Sequence, residues 1–178
     1  MTLISFDYAI KYLLKSKEDY DLIEGFISSV LQTQGYEAVK IKAFLDGESN
    51  KEEAGLKRSI ADVIVEDVSG KKYIVEIDRS FSSVFLQKAA FNASRLIVDT
   101  TEEGDDYSDI KKIYHISLLY EPPASVNGAL YHGKTIFHEV GRKQRIHLED
   151  LGEGKFDSFN VFPEYFIISV PRFDDVVE

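Results

Sequence analysis

The stretch SIADVIVEDVSGKKYIVEID, residues 59–78, contains two β-rich runs on either side of a short polar segment. Residues 60–66 and 73–78 are rich in Ile and Val, which favour strands. Ser69-Gly70 between them is a turn signal, because glycine adopts the backbone conformations that tight turns require. The stretch therefore predicts an antiparallel hairpin, and the rest of the chain can be placed around it.

The register of this hairpin follows from the position of its turn. If the turn centres on Ser69, residues whose numbers sum to 138 face each other, and side chains alternate between the two faces. One face then carries apolar side chains suited to burial: Ala61, Val63, Val65, Tyr73, Val75 and Ile77. The other face places Asp62 opposite Glu76, with Asp78 two residues further along.

Two carboxylates face each other in this register. Directly opposed residues have Cβ atoms about 4.5–5.5 Å apart, so Asp62 and Glu76 would repel unless a cation lay between them. Oxygen ligands with no cysteine or histidine nearby select Mg²⁺, Mn²⁺ or Ca²⁺ over zinc. The alternative is a solvated Asp62 balanced by neighbouring lysine and arginine side chains. A register shift by one residue would place the two acids on opposite faces.

The flanking segments predict helices and further strands. Residues 18–32 and 82–98 have apolar side chains at helical spacing, and residues 6–15 predict a shorter helix. Strands are expected at 39–45, 113–120, 135–140, 145–148 and 165–170. This mixture favours an α/β fold with a mixed central sheet flanked by helices, in a single domain over residues 1–178.

Composition sets limits on the class of protein. The chain has 178 residues, of which 44% are hydrophobic, enough for one core without disulfides or a structural metal. Cysteine is absent, no basic leader precedes the first apolar residues, and no apolar run reaches the roughly 18 residues of a membrane span. We therefore expect a cytoplasmic protein without a membrane partner. The net charge of -10 opposes non-specific binding to phosphates.

Three segments in this order resemble a known family: Ser59-Ile60-Ala61-Asp62-Val63, Tyr73-Ile74-Val75-Glu76-Ile77-Asp78 and Phe91-Asn92-Ala93-Ser94. The opening segment, residues 6–11, and the late segment, residues 165–173, fall where that family has similar ones. The chain thus resembles the PD-(D/E)XK nuclease family transposases, also called Rpn recombination-promoting nucleases.

This resemblance implies a restriction-endonuclease-like fold and Mg²⁺-dependent hydrolysis of DNA phosphodiester bonds, with Mn²⁺ as a substitute ion. Asp62 would be the motif aspartate and Glu76 the second acidic metal ligand. Glu48 matches a further acidic position of the family. Double-stranded DNA is the expected substrate, and its cleavage would suggest a homodimer with one site for each strand. Relatives commonly continue into a helical region, so residues 1–178 can be the N-terminal part of a longer protein.

The chain departs from the family pattern at Asp78. The wider superfamily has lysine two residues after the glutamate, and this family often has glutamine. Aspartate can bind metal or accept a proton, but it cannot stabilise developing negative charge. Lys88 on the following helix is the candidate replacement, and its alternative is an ordinary surface lysine. The competing hypothesis is a catalytically degenerate module that binds nucleic acid or a protein partner.

Overall fold

The computed structural model describes residues 20–45, 63–123, 125, 127–136 and 160–172. In chain order the elements are α1 (Asp21–Gln32), β1 (Ile41–Leu45), β2 (Val63–Asp67), β3 (Lys72–Ser80), α2 (Phe85–Asp99), β4 (Ile113–Glu121), β5 (Leu130–Gly133) and β6 (Glu164–Ser169). Short 3₁₀ turns follow α2, at Tyr107–Asp109, and β6, at Val170–Arg172. The predicted segments at 6–15 and 145–148 lie outside the described residues.

The described strands form one mixed six-stranded sheet in the order β1-β2-β3-β4-β6-β5. Strands β3, β4 and β6 are parallel, whereas β1, β2 and β3 meet antiparallel, as do β5 and β6. A parallel neighbour needs a crossover, and α2 lies in the connection between β3 and β4. The expected α/β architecture with a mixed central sheet is confirmed, and it is consistent with a restriction-endonuclease-like fold.

The β2–β3 hairpin has the predicted register. Val63 pairs with Val75, Ile64 with Ile74, Val65 with Tyr73 and Glu66 with Lys72. The turn is held by Asp67, whose Oδ1 accepts hydrogen bonds from the backbone N–H of Ser69 at 2.8 Å and of Lys71 at 3.0 Å. Gly70 completes the turn at φ +84°, a conformation that side chains with a Cβ rarely adopt.

The two faces of the sheet bury different clusters. Helix α1 contributes Ile23, Ile27 and Leu31 to the larger cluster, together with the hairpin face that carries Val65 and Val75. The opposite face buries a smaller cluster with α2, made of Ile64, Ile74, Ala93, Leu96 and Ile113. The alternation along β3 therefore directs Glu76 and Asp78 toward the α2 side.

The end of the sheet differs from the expectation in one strand. The sequence predicts a strand at residues 135–140, but β5 lies at Leu130–Gly133, and residues 135–136 belong to no strand. In the β5–β6 register Gly133 pairs with Tyr165, so position 135 would fall opposite Pro163, which cannot donate a ladder hydrogen bond. No helix in the described ranges is long and apolar enough to cross a membrane.

Candidate active site

Glu76 is a buried carboxylate in the middle of the sheet. It lies on β3 between Val75 and Ile77, and only 1% of its surface is exposed. Strands β2 and β4 flank β3 on its two sides, and α2 covers the face to which Glu76 points. An ionised carboxylate in such a place costs several kcal/mol unless hydrogen bonds and a positive charge compensate it.

Helix α2 provides that compensation. Asn92, itself buried, donates a short hydrogen bond from its side-chain amide to Glu76 Oε1. Lys88 Nζ lies 3.2 Å from Glu76 Oε2. Lys88 and Asn92 are four residues apart, so they project from the same side of the helix. Both oxygens of Glu76 are thus held by one helical turn.

Lys88 also joins Glu76 to Asp78. Its Nζ donates to Asp78 Oδ1 at 3.0 Å, so one ammonium lies between two carboxylates that share a face of β3. The second oxygen of Asp78, Oδ2, is buried and has no hydrogen-bond partner within the described ranges. A buried carboxylate oxygen without a donor is the kind of atom that a cation would satisfy.

Strand β4 adds His115 and Ser117 to the same face. Ser117 pairs with Glu76 in the parallel register of β3 and β4, and both residues are 1% exposed. His115 Nε2 lies 3.6 Å from Glu76 Oε2, which is too long for a good hydrogen bond but close enough for an electrostatic contact. Ser117 Oγ lies 3.3 Å from His115 Nδ1. The burial of Ser117 makes it a structural partner of the histidine rather than an accessible nucleophile.

The charges at this site shift two pKa values. Burial raises the pKa of Glu76, but contacts with His115 and Lys88 outweigh it, so this pKa lies below the ordinary value of 4.5. Lys88 is the constant contributor, because His115 carries charge only when its ring is protonated. Burial lowers the pKa of Lys88, but the contacts with Asp78 and Glu76 raise it by more than burial lowers it. The pKa of this ammonium therefore lies above its ordinary value.

Three of the five predicted site residues therefore meet: Glu76, Asp78 and Lys88. Asp62 and Glu48 lie outside the described residues. Within the described part of the chain no group of three His, Cys, Asp or Glu side chains is arranged to hold a metal ion. Glu76 and Asp78 nevertheless offer hard oxygen ligands. Among the described residues, Asp78 Oδ2 accepts no hydrogen bond, and this chemistry fits a divalent cation such as Mg²⁺ or Mn²⁺.

Sequence reasoning assigned no role to Asn92, His115 or Ser117. Asn92 carried a signal, since a polar amide occupies a buried position of an otherwise apolar helix face, beside Ala89, Ala93 and Leu96. The sequence signal for His115 and Ser117 was weaker: two polar residues at alternate positions share one face of an otherwise apolar strand. Their partner on β3 follows from the parallel strand order, which local patterns do not specify.

One of three comparisons with known proteins identifies a family for this chain. Residues 4–150 match the family described as PD-(D/E)XK nuclease family transposase. The chain matches no curated protein. It also matches no solved structure. The family match covers most of the chain, includes the hairpin, Lys88 and Asn92, and indicates a nuclease-type function that acts on nucleic acid. The chain belongs to the PD-(D/E)XK nuclease family transposases.

Proposed function

We propose that this protein is a Mg²⁺-dependent endonuclease that hydrolyses DNA phosphodiester bonds, with Mn²⁺ as a substitute ion. The observation that carries the proposal is Glu76, a carboxylate that is buried on hairpin strand β3 and held by Lys88 and Asn92 of helix α2. The hairpin pairs residues whose numbers sum to 138 in its four described pairs. We infer that Asp62 and Glu76, whose numbers also sum to 138, act together in the site.

In this proposal Asp62 and Glu76 hold the ion, and Asp78 and Glu48 are further candidate ligands. The unpartnered Oδ2 of Asp78 supports its inclusion. A bound divalent ion would supply Lewis-acid stabilisation of the negative charge that develops on a scissile phosphate. These carboxylates would hold that ion, and the burial of Glu76 would limit the access of bulk water to it.

Lys88 takes the part that a lysine at position 78 would have. Its ammonium lies 3.0 Å from Asp78 and 3.2 Å from Glu76, so it reaches the same space from the helix. Its raised pKa keeps it protonated at neutral pH. A fixed ammonium beside the reacting phosphate can steady negative charge, which Asp78 cannot do. Lys88 is also 45% exposed, so a substrate phosphate can approach it.

The substrate and assembly follow from the same proposal. Double-stranded DNA is the proposed substrate, cleaved by a homodimer with one site for each strand. The cytoplasm is the proposed compartment, and residues 1–178 are proposed to form one nuclease domain. With a net charge of -10, binding to DNA would depend on the metal ion and on locally clustered lysines.

Plasmid cleavage tests the activity. Purified protein is incubated with supercoiled plasmid and Mg²⁺ or Mn²⁺, and with EDTA in parallel. We expect nicked and linear products only with the metals, and their loss in Asp62→Asn and Glu76→Gln. Glu66→Gln is the matched control, because Glu66 lies on the same hairpin but pairs with Lys42 at 2.7 Å, away from the site. Uncut plasmid under all metal conditions would refute the enzyme hypothesis.

A second candidate function rests on the same contacts. Both oxygens of Glu76 are already engaged by side chains, and Asp78 replaces the usual lysine or glutamine. These contacts favour a degenerate member that binds nucleic acid or a protein partner without cleaving. Tight binding of a DNA duplex that is equal with Mg²⁺ and with EDTA, combined with uncut plasmid, would support this module over the nuclease.

A further inference from the structure

A second polar cluster lies on the opposite face of the sheet, at the end where β3, β4 and β6 begin. Its centre is Glu164, the first residue of β6, which is 4% exposed. Parallel pairing places Glu164 beside Tyr114 on β4, on the face that also carries Tyr73 and Phe166. Glu76 faces α2 instead, so the two buried acids belong to separate sites.

Glu164 is fully compensated by its neighbours. Its Oε1 accepts from Lys112 Nζ at 2.8 Å, and its Oε2 accepts from the Tyr36 hydroxyl at 2.8 Å and contacts His132 Nε2 at 2.7 Å. Burial raises the pKa of Glu164, but these partners outweigh it and leave the pKa below its ordinary value. The carboxylate is therefore ionised at neutral pH, and Lys112 neutralises it.

A cavity of about 270 Å³ opens beside this cluster. We call it the lysine pocket; it is lined by Tyr36, Lys71, Lys112, Tyr114, Lys134, Asn160 and Glu164. Lys112 Nζ donates one N–H to Glu164 and another to the carbonyl oxygen of Asn160, each at 2.8 Å. An ammonium has three N–H donors, so one remains for a ligand.

Two further ammonium groups, those of Lys71 and Lys134, line the pocket. Lys71 precedes β3 and Lys134 follows β5, and both side chains are exposed. Neither forms an ion pair in the part of the chain that the structure describes, whereas Lys40 and Lys42 at the same end of the sheet pair with Glu24 and Glu66. With Lys112 balanced by Glu164, the pocket keeps a charge of about two positive units, in a protein that is acidic overall.

We infer that the lysine pocket binds a phosphate monoester or free phosphate. At neutral pH such a group carries about -1.5 to -2 charges and three or more acceptor oxygens, which match Lys71, Lys134 and the remaining N–H of Lys112. Tyr36 and Tyr114 line the pocket beside these groups, with their rings edge to face and their centroids 5.8 Å apart. The pocket lies on the opposite face from Glu76, so phosphate binding there requires no metal and no cleavage.

Binding is measured by calorimetry in buffer with EDTA, so that divalent ions cannot contribute. The probes are inorganic phosphate, AMP, adenosine, and one short single-stranded oligonucleotide prepared with a 5′-phosphate and with a 5′-hydroxyl end. The phosphate-bearing probes are inorganic phosphate, AMP and the strand with a 5′-phosphate, and we expect these to bind. Adenosine and the hydroxyl-ended strand, which carry no terminal phosphate, should bind at least about tenfold more weakly. Inorganic phosphate as the tightest ligand would identify a free-anion site, and the phosphorylated strand as the tightest would identify a strand-end site.

Matched double variants separate a pocket from general surface charge. In Lys71→Gln/Lys134→Gln the affinity for phosphate-bearing probes should fall by about tenfold or more, because two charge-assisted hydrogen bonds are lost. In Lys40→Gln/Lys42→Gln, which removes the same charge at the same end of the sheet, it should change less than about twofold. Equal weakening in both double variants, or no binding of any phosphate-bearing probe to the wild type, would overturn the inference.

Discussion

Lys88 Nζ lies 3.2 Å from Glu76 Oε2, and this ammonium comes from helix α2 rather than from the strand that carries the acid. The same ammonium reaches Asp78, which lies two residues further along β3 on the same face, toward α2. If Lys88 replaces the strand lysine of the wider superfamily, as we propose, the acid comes from a strand and the lysine from a helix. The geometry of the site therefore depends on how α2 packs against the sheet.

Replacing Lys88 by methionine should reduce both activity and stability. Loss of a fixed donor beside the reacting phosphate should lower the cleavage rate by about 10²–10³-fold. The free energy of unfolding should fall by about 1–2 kcal/mol, less than for a fully buried pair, because Lys88 is 45% exposed and solvent screens part of its charge. Lys88→Arg should recover part of both. The measurements are plasmid cleavage and urea denaturation.

Lys40→Met is the control for this prediction. Lys40 forms a comparable ion pair with Glu24 at 2.9 Å, but it is 69% exposed and distant from the carboxylates of β3. Its replacement should leave cleavage unchanged and have little effect on the free energy of unfolding, because solvent screens the exposed ammonium. A normal cleavage rate in Lys88→Met would remove Lys88 from the proposed mechanism, whatever happened to stability.

Two glycines should respond to alanine with opposite signs. Gly70 has φ +84° in the hairpin turn, so Gly70→Ala should lower the free energy of unfolding by about 1–2 kcal/mol. Gly25 lies inside α1, where an added Cβ would meet nothing within 4 Å, so Gly25→Ala should raise it by about 0.5–1 kcal/mol. Thermal and urea denaturation measure both changes. Destabilisation by Gly25→Ala would show that the α1 surface is covered.

Sequence alone was sufficient for the hairpin because its determinants are local. Asp67, Ser69 and Gly70 form the turn within four residues, and the period of two along β2 and β3 separates the apolar face from the acidic one. The amphipathic helices were also predictable, since α1 and α2 each bury one stripe. Strand β5 was missed because its four residues alternate only weakly and their strand conformation depends on pairing with β6.

Long-range contacts explain what sequence reasoning could not reach. Glu164 binds Tyr36, which is 128 residues away, and His132, which comes from a strand that was not predicted. The lysine pocket likewise forms only when the parallel order of β3, β4 and β6 gathers the starts of these strands at one end of the sheet.

The pKa of Glu164 predicts how its contribution to stability depends on pH. Because the folded pKa is below 4.5, the stabilisation is complete above the unfolded pKa and is lost as pH falls through the folded value. Glu164→Gln should therefore cost about 3 kcal/mol at pH 7, by analogy with other buried pairs, and progressively less below about pH 4.5. Urea denaturation of both proteins between pH 7 and pH 3 measures this difference.

Glu121→Gln provides the comparison for that pH series. Glu121 pairs with Arg79 at 3.0 Å, but 59% of its side chain is exposed, so its replacement should have little effect at any pH. A Glu164→Gln difference that stays constant from pH 7 to pH 3 would mean that the lost contacts do not depend on the ionised carboxylate.

Titration of the metal-free protein with Mn²⁺ by calorimetry tests most directly whether Asp62 and Glu76 hold one hard divalent ion. We expect the wild-type protein to bind a single ion with micromolar affinity, and this binding should be lost in Asp62→Asn and in Glu76→Gln but retained in Glu66→Gln. If the wild-type protein binds no Mn²⁺, or if all three variants bind it as well as the wild type does, Asp62 and Glu76 do not hold such an ion.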